Sequence, residues 1–304
     1  MRNSFCKTLI VGTFAAGLTL AAGWAVAAGT PVTFQLNWMA GGPNAGFEAA
    51  VEEGFYRDAG LDVTIVQGNG SANTAQLVAN GRAQLAYADA VSVSQLIAKG
   101  APMKIVATIY QSNPTMLPLL LKSNNLKVSD ITMIDMPVAS MVPALLQGQV
   151  DAVLGSIDAY QIQAEAQGAQ LDVYRFADYG VPTVSTSIFA SDSFLKENPE
   201  IVKKFIAASL KGWSFALDNP QKAIKDVKAV FPETNEKLAT AELAAITPLF
   251  CSGGAKYIGK AEDALWAKSQ DLLSEVKLLP VGQDPKTYYT NAYLPPASEM
   301  RACK

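Results

Sequence analysis

Strand-type and helix-type patterns alternate along most of the chain. Val32 to Asn37 alternates apolar and polar positions, as a half-buried strand does. Ala45 to Ala59 has helical spacing and stops at Gly60. Leu61 to Gln67 is the next strand, and Ala72 to Asn80 the next helix, opened by Ser71 and ended by Gly81. Ala83 to Ala88 is a strand, Ala90 to Lys99 a helix that Asp89 can cap, and Met103 to Tyr110 a fourth strand. The middle of the chain repeats the theme. Met116 to Lys122, Ile131 to Asp135, Val150 to Leu154, Leu171 to Phe176 and Val184 to Ala190 are strand-like, while Pro137 to Gln147 and Asp158 to Gln167 are helical. From Asp192 onward the pattern is helical throughout, with a long helix from Pro199 to about Leu217 and others at Gln221 to Val230, Thr234 to Thr247 and Ala261 to Glu275. Strands alternating with helices of about ten residues predict βαβ units and a mostly parallel sheet. No low-complexity linker divides the chain, so two α/β units are expected as compact lobes.

The N-terminus departs from this pattern. Residues 1–27 read as a cleaved secretory signal: Arg2 and Lys7 precede the apolar run Leu9 to Ala22, and Ala25-Val26-Ala27 supplies a small-x-small cleavage site. Cys6 lies before the apolar run rather than after it, which argues against lipid anchoring. Export would place Cys251 and Cys303 where disulfides are permitted. They are read either as one bridge or as two separate buried thiols.

Composition removes several function classes. The chain has 304 residues, 50% hydrophobic and 17% charged, which is a globular balance. Its net charge of −3, or −5 without the leader, leaves no electrostatic footprint for nucleic acid. Histidine is absent, so Ser-His-Asp triads, Cys-His dyads, His-ligated zinc and His general bases are excluded. No cofactor or metal is expected, because neither a Rossmann fingerprint nor a Walker loop is present.

The candidate chemistry lies at strand ends, where open α/β sheets bind ligands. Asn37 and Trp38 offer an amide and a ring face, although a Trp here is equally a core residue. Gly68-Asn69-Gly70-Ser71 opens a helix and is on spacing alone a plain turn. Asp89, Ser156 and Asp158 sit at strand-to-helix junctions, where N-capping is the strong alternative. Glu52-Glu53 reads as a solvated face and Tyr288-Tyr289 as packing of the tail.

Taken in order, several stretches resemble one family. They are Leu36-Asn37-Trp38, Asn44-Ala45-Gly46-Phe47, Glu53-Gly54-Phe55-Tyr56, Ala59-Gly60-Leu61-Asp62-Val63, Gly68-Asn69-Gly70-Ser71 and Leu145-Leu146-Gln147-Gly148-Gln149-Val150-Asp151-Ala152. The chain resembles the periplasmic solute-binding proteins of ABC importers, in the branch that binds sulfonates, nitrate and thiamine pyrimidine precursors. The resemblance implies an α/β, two-lobed type II periplasmic binding fold. Lobe 1 would comprise residues 28–117 and 192–304, and lobe 2 residues 118–191. It implies a soluble, monomeric, periplasmic protein that takes a small-molecule ligand to a membrane permease and catalyses nothing. The pyrimidine-forming synthases similar to this family need a His and a Cys cluster, and the chain has neither. By position Asn37, Trp38, Gly70, Ser71 and Asp89 would line the first lobe, and Ser156 and Asp158 the second. Asn37-Trp38 is closer to the pyrimidine-precursor members. One departure stands out. After Leu117 to Lys122, Ser123-Asn124-Asn125 runs directly into Leu126-Lys127-Val128-Ser129-Asp130, which matches a later part of the family pattern. A βα unit, roughly thirty residues, is missing, so the second lobe is expected to be short, and a degenerate or repurposed binding protein with weak or no transport role is the alternative reading.

Overall fold

The computed structural model describes residues 29–111 and 117–303, so the expected leader lies outside the described residues. Five strands form one sheet: β1 (Thr30–Gln35), β2 (Leu61–Val66), β3 (Leu85–Asp89), β4 (Met103–Thr108) and β5 (Thr186–Ser191). Their order is β2-β1-β3-β5-β4. The first three are parallel, in a register that sets Thr30 opposite Leu61 and Phe34 opposite both Ile65 and Leu85. β5 runs antiparallel to both its neighbours. The chain thus re-enters the sheet at Thr186, ahead of the Asp192 expected for the return to the first lobe.

Helices cover both faces. On one side α1 (Ala45–Glu52), α9 (Pro199–Asp218), α10 (Pro220–Val230) and α11 (Glu236–Ile246) close over Phe34, Phe47, Phe205 and Trp213. Phe47 meets Phe34 and Trp213 edge to face, at 4.8 and 5.4 Å between ring centroids. On the other side α3 (Ser71–Ala79), α4 (Ala90–Ala98) and α12 (Asp263–Glu275) bury Met103, Phe189, Trp266 and Tyr288. Both faces of the sheet are therefore apolar, as a sheet sandwiched between helices requires. The helix expected over 45–59 is two: Gly54, at φ 77°, ends α1, and α2 (Phe55–Asp58) restarts beyond it. Glu53 pairs with Lys222 at 2.6 Å. The tail packing expected at Tyr288-Tyr289 is seen, with Tyr289 stacked on Trp266 at 4.6 Å and both tyrosines buried.

The stretch between β4 and β5 differs from its sequence pattern. The strand-like run at Leu117 is a helix, α5 (Leu117–Ser123), which buries Leu119 and Leu121. Leucine favours helix over strand, and short apolar runs carry no periodicity that separates the two. Ile131–Asp135, Val150–Leu154 and Leu171–Phe176 make no ladder; among the described residues no strand lies between Leu117 and Ser185. A strand alone leaves its backbone polar groups unpaired, so each of these runs needs a neighbour to become one. The helices α6 (Val138–Leu146) and α7 (Ile162–Ala166) form as expected, α7 entered through a wide π-helical turn, Ile157–Gln161. The remaining short helix, α8 (Asp192–Glu197), is capped by Ser191.

Cys251 and Cys303 are joined by a disulfide, with 5.3 Å between their Cα atoms and a sequence separation of 52. The tail is also held by Cys303 N–H to the Lys256 carbonyl (2.9 Å) and by Arg301 to Asp218 (2.6 Å). Closing a loop of this length stabilises a fold by about 4 kcal/mol in the chain-entropy account. Replacing both cysteines by alanine should lower the unfolding free energy by about that amount, read from urea melts.

One buried charge opposes the fold. Glu48 on α1 is fully buried, and neither carboxyl oxygen has a hydrogen-bond partner. Burial pushes its carboxyl well above the ordinary range. The folded state therefore holds this proton more tightly than the unfolded chain does. Its contribution to stability is intact below the unfolded value, about 4.3, and is lost as pH rises through the raised folded value. Glu48→Gln mimics the protonated form. It should be more stable than the wild type at pH 8, with the gap closing towards pH 5 in urea melts at both pH values.

Candidate functional site

The chain leaves β1 and β2 side by side, and the two exits are stitched together by backbone. Leu36 N–H donates to Val66 O (2.8 Å), Gly68 N–H to Trp38 O (3.0 Å) and Gly70 N–H to Asn37 O (2.7 Å). Gly68 approaches so closely that a Cβ there would overlap the Leu36 carbonyl. Gln35 reinforces the seam through Nε2, which donates to Gln67 O at 2.9 Å.

Side chains complete this hub. Ser71, the first residue of α3, accepts from Asn37 Nδ2 (3.2 Å) and from the Asp89 N–H (3.0 Å). It therefore ties together the ends of β1, β2 and β3. A hydroxyl that accepts twice keeps its own proton to donate. Asp89 caps α4 by accepting from Ser92 N–H (3.0 Å) and Oγ (3.1 Å) through Oδ1, the role that its position also suggested. The structure thus brings Asn37, Gly70, Ser71 and Asp89 together. Trp38 leaves the core reading behind: it follows Asn37 with 48% of its surface exposed.

Ser156 and Asp158 form a second group. Asp158 lies in the π-helical turn before α7, where Ser156 and its own backbone N–H donate to its carboxyl. Burial outweighs these donors and raises the carboxyl above its usual range. Its charge bears on Tyr87 of β3, on Tyr110 beyond β4 and on Glu242 of α11. Tyr110 donates to Pro43 O at 2.6 Å. The Tyr87 hydroxyl is buried and approaches Tyr110 and Thr186 without a well-formed hydrogen bond. Tyr87 and Asp89 lie two apart on one strand and so project to the same face, which links the two groups.

Glu242 had no sequence signal, because nothing in its helical repeat marks it. Its Oε2 accepts from Gly42 N–H at 3.0 Å, pinning α11 to the Gly41-Gly42-Pro43 loop. Burial, with Asp158 adding to it, pushes the Glu242 carboxyl up to about 7. Among the described residues the groups that shift Asp158 and Glu242 include no lysine or arginine. Nor do His, Cys, Asp and Glu gather into a metal-holding group among those residues.

Ser71→Ala would strand two N–H donors in this hub. It should cost about 1–3 kcal/mol in urea unfolding, and Ser71→Thr should recover most of that. Equal stability of all three proteins would show that the hydroxyl does not hold the strand exits together.

Known proteins place this geometry. Residues 44–120 and 114–223 match the NMT1/THI5 like family model. The 4-amino-5-hydroxymethyl-2-methylpyrimidine phosphate synthase THI13 of Saccharomyces cerevisiae is 23% identical, over 86% of this chain and 87% of its own. The formylaminopyrimidine-binding protein of Halalkalibacterium halodurans is 22% identical, over 64% of this chain and 68% of its own. Among solved structures, the periplasmic aliphatic sulphonate binding protein SsuA of Escherichia coli superposes with a TM-score of 0.67 at 16% identity, covering 87% of this chain and 99% of that one. The chain has the periplasmic binding protein fold and belongs to the NMT1/THI5 like family.

Proposed function

We propose that the protein is the periplasmic solute-binding component of an ABC importer, and that its solute is a small nitrogen heterocycle bearing amino donors. The observation that carries this reading is the acceptor-rich character of the site. The charge of Asp158 bears on Glu242 and on two tyrosines, Tyr87 and Tyr110, and among the described residues no lysine or arginine is among the groups that shift the two carboxyls. A sulfonate or nitrate would meet two carboxyls there, whereas an amino group or protonated ring nitrogen would find acceptors. Half-exposed Trp38 supplies a ring for stacking, and Asn37 and Ser71 supply the polar edge. The named formylaminopyrimidine-binding relative supports the same solute class.

The proposed mechanism is capture between lobe 1, which holds the five-stranded sheet, and a small lobe 2 drawn from the segment between β4 and β5, followed by delivery to a permease. A ligand that touches both lobes biases the closed state. With Gly70, Ser71, Asp89, Asn37 and Trp38 on the larger lobe, that side dominates recognition, and closure is limited. The named synthases suggest a second reading, turnover on the same fold. Against it stand the absence of histidine from the whole chain and the mutual bonding of Cys251 and Cys303.

Isothermal titration against 4-amino-5-hydroxymethyl-2-methylpyrimidine, ethanesulfonate and nitrate tests the reading. The pyrimidine should bind and be recovered unchanged, and the two anions should bind weakly or not at all. Tight sulfonate binding, or an altered pyrimidine product, would refute it. Trp38→Ala should weaken pyrimidine binding by about 1–3 kcal/mol, the range for base-stacking aromatics.

A further inference from the structure

We propose that Glu242 is a further recognition residue, which with Asp158 forms a two-carboxyl clamp on an N–H-rich or cationic group of the solute where α11 meets the turn before α7. The inference rests on the solute class proposed above and gives its two carboxyls a specific role in holding the solute. α11 packs on two segments at once, the Gly42–Asn44 turn and the Ile157–Gln161 turn. Glu242 lies at the first of these contacts, and the charge of Asp158, on the second, reaches its carboxyl. Gly42 N–H fixes one of its oxygens, which orients the carboxyl without neutralising it. Asp158 arrives from the other segment, oriented in the same way by Ser156 and by backbone.

Two carboxyls brought together and buried are unfavourable unless one is protonated or a cation lies between them. Burial raises both carboxyls, and the charge of Asp158 adds to the shift at Glu242. The charges around them offer no relief. On α10, Lys222 is engaged with Glu53 and Asp226, and Lys228 with Glu236 of α11 at 2.8 Å. On α7, Glu165 accepts from Gln161. A separate observation points to a ligand. The Tyr87 hydroxyl, on a side chain 1% exposed and within reach of the Asp158 charge, lacks a well-formed hydrogen bond among the described residues. Native interiors leave few such groups unpaired, and those at binding sites are satisfied by what binds. An amino-substituted ring can donate to both carboxyls and accept from the tyrosine.

The test is titration of 4-amino-5-hydroxymethyl-2-methylpyrimidine into the mature protein and its Glu242→Gln, Glu242→Ala and Asp158→Asn variants at pH 8, with melting temperatures recorded in parallel. Glu242→Gln keeps an acceptor for Gly42 N–H and removes only the charge. The clamp predicts at least tenfold weaker binding in both Glu242→Gln and Asp158→Asn, with unchanged melting of Glu242→Gln. If Glu242→Gln binds as the wild type does while Glu242→Ala is weakened, Glu242 merely props the Gly42 loop and the clamp is wrong. Wild-type affinity in all three variants also overturns the clamp but leaves the proposed solute class standing. Failure of the wild type to bind the pyrimidine overturns both.

Discussion

The candidate site depends on the seam that joins the exits of β1 and β2. Three backbone hydrogen bonds between residues 36–38 and 66–70 hold two loops that would otherwise move independently. Thr74 adds a donor to the Leu36 carbonyl from inside α3, at 3.0 Å. Because Gly68 lies against that carbonyl, α3 cannot shift without pulling β1 with it. Ser71 then extends the constraint to β3. Trp38 is the residue that profits: its backbone is fixed by the seam while its ring remains half in solvent. A rigid backbone beneath an exposed ring is the arrangement that lets a stacking contact form with little loss of entropy.

How far residues alone reveal this differs along the chain. The βα alternation of residues 30–108 is legible because each strand is a short, largely apolar run and the helices between them are followed by glycine, as at Gly60, Gly81 and Gly100. The helical C-terminal half is legible for the same reason, its apolar stripe recurring at 3.6 residues on α9 and α10. The middle is not. Val150–Leu154 and Leu171–Phe176 carry strand-like patterns, but a strand is a property of two segments, and the partner is not encoded in the pattern. The hub of Asn37, Gly70, Ser71 and Asp89 could be listed from strand-end positions, yet its hydrogen bonds could not. Glu242 was invisible because its role comes from proximity to Gly42, two hundred residues earlier.

Electrostatics gives the site its character more than shape does. A binding fold shared by sulfonate, nitrate and pyrimidine proteins says nothing on its own about the sign of the ligand. Here burial, more than any charged partner, sets the state of the carboxyls. Asp158 and Glu242 are moved mainly by loss of water, with hydroxyl and backbone donors only partly compensating. Glu48, deeper under the same sheet face, is more isolated still.

The antiparallel pairing of β4 with β5 has a topological consequence. Ile105 lies opposite Phe189, so everything between these strands is formally the loop of one very wide hairpin whose stem is built into the sheet. Both ends of that loop are fixed by the stem rather than by the loop's own contents. The entropy of closing a loop grows only with the logarithm of its length. Losing a βα unit from within it would thus barely change the closure cost, and the stem would pair as before. A sheet wired in this way can trim or enlarge the segment between β4 and β5 while the seam and Trp38 stay in place.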